Sequence, residues 1–209
     1  MSRAAPVVPP GPEAASLAEA RALAAQCRRC ELWRGATQTV FGEGPASATV
    51  VLVGEQPGDK EDLQGHPFVG PAGGMLDRAL AEAEIDRAQA YVTNAVKHFK
   101  NVPRGRKRIH QRPDRHEIEI CRWWLDLELS FVRPRLVVAL GASAARALFL
   151  RTVTITRERG RPLPFRDGLD GFVTVHPSFI LRQRTDEDRR REYAALVADL
   201  RRVAALIRA

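Results

Sequence analysis

TVVLVGEQPG, residues 49–58, is the stretch that decides the fold. Its first five residues form a short, mostly apolar run, which is typical of a strand covered on both faces in a parallel sheet. The turn that follows contains glycine and proline, and it exposes backbone amides and polar side chains where the strand ends. Such a turn is usually an ordinary strand-to-helix loop, and it can also cradle an anion or a base. It is not a P-loop, because no Gly-Lys-Ser/Thr sequence follows.

Three further apolar runs, at residues 91–93, 135–140 and 172–175, have the same character. Stretches with helical spacing separate them, so strand and helix alternate along the chain. We therefore predict an α/β fold with three layers, α-β-α, around a central, mostly parallel four-stranded sheet. Ligands bind beyond the carboxyl ends of such strands. The polar residues there, Asn94 and His176 among them, are expected to meet in one cleft.

The length of 209 residues fits one domain with a single core. Residues 1–15 contain four prolines and no continuous apolar run, which predicts a flexible N-terminal arm rather than a signal peptide. Residues 16–209 are expected to form a single, monomeric domain. No apolar stretch reaches the roughly 20 residues that cross a bilayer, so we expect a cytoplasmic protein without a membrane partner.

The chain is basic, with 33 Lys and Arg against 25 Asp and Glu, a net charge of +8. This excess favours polyanionic partners such as nucleic acid. It is partly local, because one short stretch holds Arg104, Arg106, Lys107, Arg108 and Arg112.

Four motifs occur in a fixed order: GEQPGD at 54–59, PFVGPAG at 67–73, VTNAVK at 92–97 and HPS at 176–178. Together they resemble the uracil-DNA glycosylase superfamily, and its nearest branches are the iron–sulfur enzymes of family four and the UdgX group. RKRIH at 106–110 resembles the basic loop of the UdgX group, whose pattern is Lys-Arg-Arg-Ile-His. The charge is kept, although Arg and Lys are not equivalent at bidentate contacts.

The resemblance, which runs from about residue 27 to 181, implies an enzyme that excises uracil from DNA, with single-stranded DNA preferred. Phe68 would stack on the extruded base, and Asn94 would read the uracil edge, since its amide can donate to O4 and accept from N3–H. His176 would contact O2 and stabilise charge on the departing base. Without the resemblance, Phe68 would be read as core packing, Asn94 as the end of a strand and His176 as a loop residue with a local hydrogen bond. Gln56 is also expected in the uracil pocket, and Ser178 on the DNA.

The resemblance to the UdgX group implies that His110 attacks the anomeric carbon C1′ and stays joined to the DNA. Neighbouring cations are expected to keep its ring neutral, and Glu55 to orient or deprotonate it. Gln56 and Asp59 would line the same pocket. Lys107 and Arg108 would contact phosphates or brace the loop.

Two other functions remain open from the sequence. One is a conventional glycosylase with the same pocket, in which water rather than His110 captures C1′. The other is a non-catalytic iron–sulfur protein that binds nucleic acid and does not distinguish uracil, since one fold hosts many functions.

Three cysteines cannot form a closed set of disulfides, and Cys27-x-x-Cys30 spacing in a cytosolic chain indicates a metal site or a redox pair. The resemblance implies that Cys27, Cys30 and Cys121 ligate a [4Fe–4S] cluster with His98 as the fourth ligand, a role that histidine fills in Rieske centres. Zinc at the same four residues is the rival. A redox-active Cys27–Cys30 pair would leave Cys121 unexplained.

Overall fold

The computed structural model describes residues 11–166 and 168–209 and has a central sheet flanked by helices. The strands in this part of the chain are β1 (Val50–Gly54), β2 (Tyr91–Asn94), β3 (Asn101–Arg104), β4 (Lys107–His110), β5 (Leu136–Leu140), β6 (Pro162–Arg166) and β7 (Leu169–Thr174). The α-helices there are α1 (Leu17–Ala24), α2 (Asp59–Gln64), α3 (Pro71–Glu82), α4 (Arg115–Val132), α5 (Ala142–Phe149), α6 (Ile155–Glu158), α7 (Pro177–Leu181) and α8 (Asp186–Arg208). Most of the predicted N-terminal arm, residues 1–10, lies outside the described residues.

The main sheet has the strand order β2-β1-β5-β7-β6, in which the first four strands are parallel. These are the four predicted strands, so the predicted α/β class is confirmed. The sheet is nevertheless wider than predicted, because β6 pairs antiparallel with β7 at the edge. Its sequence, Pro162-Leu163-Pro164, looks like a loop, since proline cannot donate to a ladder. An edge strand tolerates proline because one side of it needs no partner.

Both faces of the sheet are covered, as the apolar run at the start predicted. In β1, Val51 and Val53 pack in the same cluster as Trp124 of α4, whereas Leu52 packs on the opposite face with Leu80 of α3. All five residues of β1 are buried. Within the described residues, no helix is both long enough and apolar enough to cross a membrane.

The basic stretch that holds the RKRIH motif, which was expected to be a loop, lies instead in the antiparallel hairpin of β3 and β4. Its pairs run from Asn101 opposite His110 at the base to Arg104 opposite Lys107 at the tip. Gly105 makes the turn with a φ of 61°, a left-handed conformation that glycine adopts without strain. The hairpin was missed because Val102 and Ile109 are the only branched aliphatic residues in its two four-residue strands, too few to show an apolar alternation.

A buried ion pair fixes the carboxyl end of β2. The ammonium of Lys97 donates to Glu128 Oε2 at 2.6 Å, to Thr93 Oγ1 at 2.7 Å and to the Asn94 carbonyl at 2.8 Å. Glu128 also accepts the Gly42 amide at 2.8 Å. Both ionic side chains are fully buried, and every proton of the ammonium has an acceptor, which such a pair requires.

Removing the carboxylate with Glu128→Ala should lower the free energy of unfolding by about 3–5 kcal/mol, because it leaves the Lys97 charge buried without a counterion. Urea denaturation measures this difference. The matched control is Glu187→Ala on an exposed turn of α8, which should cost less than about 1 kcal/mol. Equal losses in the two variants would show that the pair is not a structural anchor.

Candidate active site

A cavity of about 1140 Å³ opens at the carboxyl ends of the parallel strands. It is somewhat larger than most small-molecule pockets, so it has room for more than one base. The predicted convergence of polar residues is confirmed, since the cavity is lined by Glu55, Gln56, Phe68, Asn94, His110, His176 and Ser178. Asp59, Lys107 and Arg108 are not among its lining residues.

Gly54, at the end of β1, allows Phe68 and Asn94 to approach each other. A Cβ at this position would lie 2.4 Å from Asn94 Oδ1 and 2.6 Å from the Phe68 ring. Asn94 is buried, and its side-chain amide makes no hydrogen bond to any described residue. The amide is not among the fully buried polar groups that lack a partner, so it is open to the cavity and available to pair with a ligand that enters it.

Phe68 is held in a strained backbone conformation, with a φ of 59°. Its carbonyl packs against Gly73, where a Cβ would lie only 1.7 Å away. The ring is mostly buried and lies 5.9 Å from the ring of His176. Strain of this kind is found at ligand sites, where the surrounding structure maintains it.

Glu61 of α2 is a residue of the cavity wall that the sequence analysis missed. Its carboxylate accepts the amide of Gly70 at 2.7 Å and that of Gly58 at 3.1 Å, so it ties together the loops that follow β1 and precede α3. It stands three residues after the N-cap Gly58 and accepts that residue's amide, which is one half of a capping box; glycine has no side chain to make the other half, so the sequence carried no complete signal.

His176 precedes the short helix α7, and its ring has a defined tautomer. Nδ1 accepts the Ser178 amide at 3.1 Å and lies 2.8 Å from Ser178 Oγ. Burial lowers the pKa of His176 to about 4, and the nearby charges of Arg182 and His110 act in the same direction. The ring is therefore neutral at pH 7, with its proton on Nε2, where it can act as a hydrogen-bond donor.

His110, the last residue of β4, has a side chain that is 50% exposed, and its Nε2 lies 3.5 Å from Glu55 Oε1. The other oxygen of Glu55 accepts the hydroxyl of Ser143, and Arg112 Nε lies 3.7 Å from it. Arg112 also donates to Ser143 Oγ at 3.2 Å. The carboxylate is thus fixed on one side and faces the imidazole on the other.

Of the two cations expected beside His110, Arg108 is engaged with carboxylates of α2 and Lys107 lies at the exposed tip of the hairpin. Arg108 donates to Asp59 Oδ1 at 2.7 Å, forms an ion pair with Asp62, and stacks 5.3 Å over the ring of Phe99. It therefore braces the hairpin against α2, which is the second of its two predicted roles. Asp59 acts in this brace and not in the cavity.

Gln56 lines the cavity, but its amide is engaged in holding the hairpin. Its Nε2 donates to the carbonyl of Gln111 at 2.9 Å and to that of Lys100 at 3.3 Å, and its Oε1 accepts the Lys100 amide at 3.1 Å. The side chain thus spans both strands just outside the Asn101–His110 pair. These contacts give Gln56 a positioning role, while its predicted catalytic and uracil-binding roles stay predictions.

The three cysteines gather where α1 ends against α4. Cys27 Sγ accepts the Trp124 indole N–H at 3.1 Å, and Cys121 Sγ accepts the Lys97 amide at 3.2 Å. Burial raises the pKa of Cys121 to about 12, and Cys30 and Cys27 lie near enough to raise it further. N–H groups directed at cysteine sulfur are a feature of iron–sulfur sites.

His98 is placed differently from the prediction. It follows Lys97 directly, but its Nε2 lies 2.9 Å from Thr39 Oγ1, and burial lowers its pKa. In the described ranges, no three Cys, His, Asp or Glu side chains are arranged so as to hold a metal ion. Cys27 and Cys30 thus lie near Cys121 without forming a metal-binding arrangement, and the predicted fourth ligand is bonded to the loop before β1.

The class of the protein follows from its fold, from this cavity and from a sequence match. Residues 41–201 match the model of the uracil DNA glycosylase superfamily. The chain belongs to that superfamily. Among its relatives, a type-4 uracil-DNA glycosylase of Thermotoga maritima is 37% identical over 167 residues, which cover 79% of this chain and 83% of the relative. One of Archaeoglobus fulgidus is 38% identical over 139 residues, 65% of this chain and 66% of the relative. A type-5 uracil-DNA glycosylase of Pyrobaculum aerophilum is 30% identical over 168 residues, covering 72% and 70%.

The His176 ring should titrate with a midpoint of about 4 in the folded protein, as measured by NMR of its ring nitrogens. The same ring in urea-unfolded protein should titrate near 6.5. Because the folded-state pKa is the lower one, the stability that neutral His176 contributes is complete above pH 6.5. It is lost as the pH falls towards 4. A folded-state midpoint near 6.5 would contradict the buried, Nε2-protonated ring.

Proposed function

We propose that this protein excises uracil from DNA, with a preference for single strands, and that His110 captures the sugar and remains joined to it, as in the UdgX group. The observation that carries the proposal is the arrangement of one cavity. It holds an unpaired amide, a neutral histidine donor and a carboxylate–imidazole pair.

Recognition of uracil rests on Asn94 and Phe68. An amide buried beside an aromatic ring can pair with the O4 and N3–H of uracil while the ring stacks on the base. Cytosine presents the reverse donor and acceptor pattern and leaves the buried amide unpaired, which disfavours its binding. The absence of a side chain at Gly54 is what allows the base, the ring and the amide to share this end of the cavity.

Bond cleavage sends the electron pair of the C1′–N1 bond onto uracil. His176 donates its Nε2 proton as a hydrogen bond to O2 and so stabilises the departing anion. A neutral ring suits this role, because it needs no proton from solvent at pH 7. The sugar is left with oxocarbenium character and requires a nucleophile.

His110 supplies that nucleophile. Glu55 beside one ring nitrogen favours a proton there, so the other nitrogen keeps its lone pair. The lone pair forms the new bond to C1′, and the proton of the ring passes to Glu55 and then to solvent. Ser143 and Arg112 fix Glu55, and Gln56 and Arg108 hold the hairpin that carries His110.

A denaturing gel with uracil-containing single-stranded DNA tests the covalent step. The protein should give a heat-resistant shifted band, which His110→Ala should abolish because it removes the nucleophile. In His110→Ser the smaller side chain should let water reach C1′, so abasic DNA should be released instead.

The matched control is His116→Ala, which removes an exposed histidine at the start of α4 and should leave the band intact. If the wild-type protein releases abasic DNA and forms no adduct, the covalent step fails and conventional turnover stands. If uracil is not released at all, the protein is a binding protein and not a glycosylase.

We also propose that Cys27, Cys30 and Cys121 hold a [4Fe–4S] cluster. The closeness of Cys27 and Cys30 to Cys121 and the N–H donors to two of the sulfurs support it. His98 is the proposed fourth ligand and would have to release Thr39 to reach the cluster. When bound, the cluster would serve as a cross-link that ties the end of α1 to α4.

Purified protein should contain about four irons and four sulfides per chain and be brown. Cys121→Ser should lose most of the iron, because it removes the ligand that α4 contributes. Asn101→Ser, outside the cysteine cluster, should retain it. A colourless protein with about one zinc per chain would instead establish the zinc alternative.

A further inference from the structure

The two faces of the β3–β4 hairpin differ in what they contact. Residues opposite each other in an antiparallel pair lie on the same face, and successive pairs alternate between the faces. The inner face holds the Asn101–His110 and Pro103–Arg108 pairs, and it directs His110 and Arg108 at the body. The outer face holds the Val102–Ile109 and Arg104–Lys107 pairs.

The outer face has no partner among the described residues. The side chains of Val102 and Ile109 are 52% and 39% exposed and form one apolar patch. The side chains of Arg104 and Lys107 are exposed and make no hydrogen bond, ion pair or ring contact with the described chain. Arg108, which follows Lys107 and points to the other face, is by contrast neutralised by two carboxylates.

We propose that this outer face binds the single strand that carries the uracil, on one flank of the flipped nucleotide. The proposal rests on the proposed function and adds to it where the neighbouring nucleotides lie. Arg104 and Lys107 contact phosphates, while the Val102–Ile109 patch packs against a base or sugar. Unpaired cations beside an exposed apolar patch are the complement of a single strand, whose phosphates are charged and whose bases are unpaired.

The distances along the hairpin fit this assignment. His110 and Lys107 are three residues apart in β4, which at about 3.4 Å per residue is about 10 Å. One strand of B-form DNA carries one phosphate per about 3.4 Å of helix axis, so the cations lie at most about three nucleotides from the sugar at His110. The same strand of DNA can therefore reach both.

Binding to uracil-free single-stranded DNA, measured against salt concentration, tests the surface separately from the chemistry. Arg104→Ser with Lys107→Ser should reduce the slope of log K against log salt by about 1.4, because each phosphate contact contributes about 0.7. Val102→Ser should weaken binding several-fold without changing the slope, since it removes apolar contact and no charge.

The matched control is Arg190→Ser with Arg201→Ser, two exposed cations on α8 that also make no contact with the described chain. This control should leave the slope within error of wild type. The proposal is overturned if the hairpin pair leaves the slope unchanged, or if the control reduces it equally.

Shortening the DNA from either end locates the flank. Removal of the three nucleotides next to the uracil should abolish the difference in salt slope between wild type and the hairpin variant. This should happen on one side of the uracil and not on the other. A difference that survives truncation on both sides would contradict the proposal. If the slope changes as expected while the gel shows no uracil release, the binding surface stands and the proposed function fails.

Discussion

The attachment of the β3–β4 hairpin to the rest of the protein is the constraint on which the candidate site depends. A two-stranded hairpin is marginal on its own in water. Here its base is gripped by the side chain of Gln56, which bonds to backbone groups on both strands, and its middle by Arg108 on the carboxylates of α2. These polar contacts place His110 beside Glu55, because both Gln56 and Glu55 belong to the turn that ends β1.

The cavity itself depends on how firmly that turn and its neighbours are held. The ion pair of Lys97 and Glu128 anchors the end of β2. Glu61 joins the loop that follows β1 to the loop that precedes α3. None of these groups faces the reacting atoms. They fix the elements that carry Asn94, Phe68 and Glu55, so the positions of the ligand-facing side chains are set by buried polar contacts as well as by apolar packing.

The sequence predicted the parts of the structure that depend on local pattern. The four apolar runs identified the parallel strands, and the polar residues at their ends identified the cavity. It did not predict β6, whose prolines resemble a loop, or the hairpin, whose charged residues show no apolar alternation. The positioning roles of Gln56 and Asp59 also escaped prediction, because the sequence does not show which backbone groups a buried amide or carboxylate will meet. Ser143, between Glu55 and Arg112, is 88 residues from its partner in the chain, and only the fold brings them together.

In the proposed mechanism, the exposure of His110 raises the question of why water would not capture the sugar first. The side chain is half exposed, so water has access to the same region. A nucleophile held in place has an advantage that solvent lacks, because well-oriented intramolecular groups reach effective molarities of roughly 10⁵ M or more. That advantage depends on orientation, and here two constraints supply it: the carboxylate of Glu55 on the ring and the polar contacts at the base of the hairpin. A histidine on a loop without these contacts would lack the fixed orientation. Water would then react with C1′ in its place. In the proposed mechanism, the choice between covalent capture of the sugar and hydrolysis with turnover therefore depends on the residues that position His110 as much as on His110 itself. These residues are Gln56, Arg108 and Ser143.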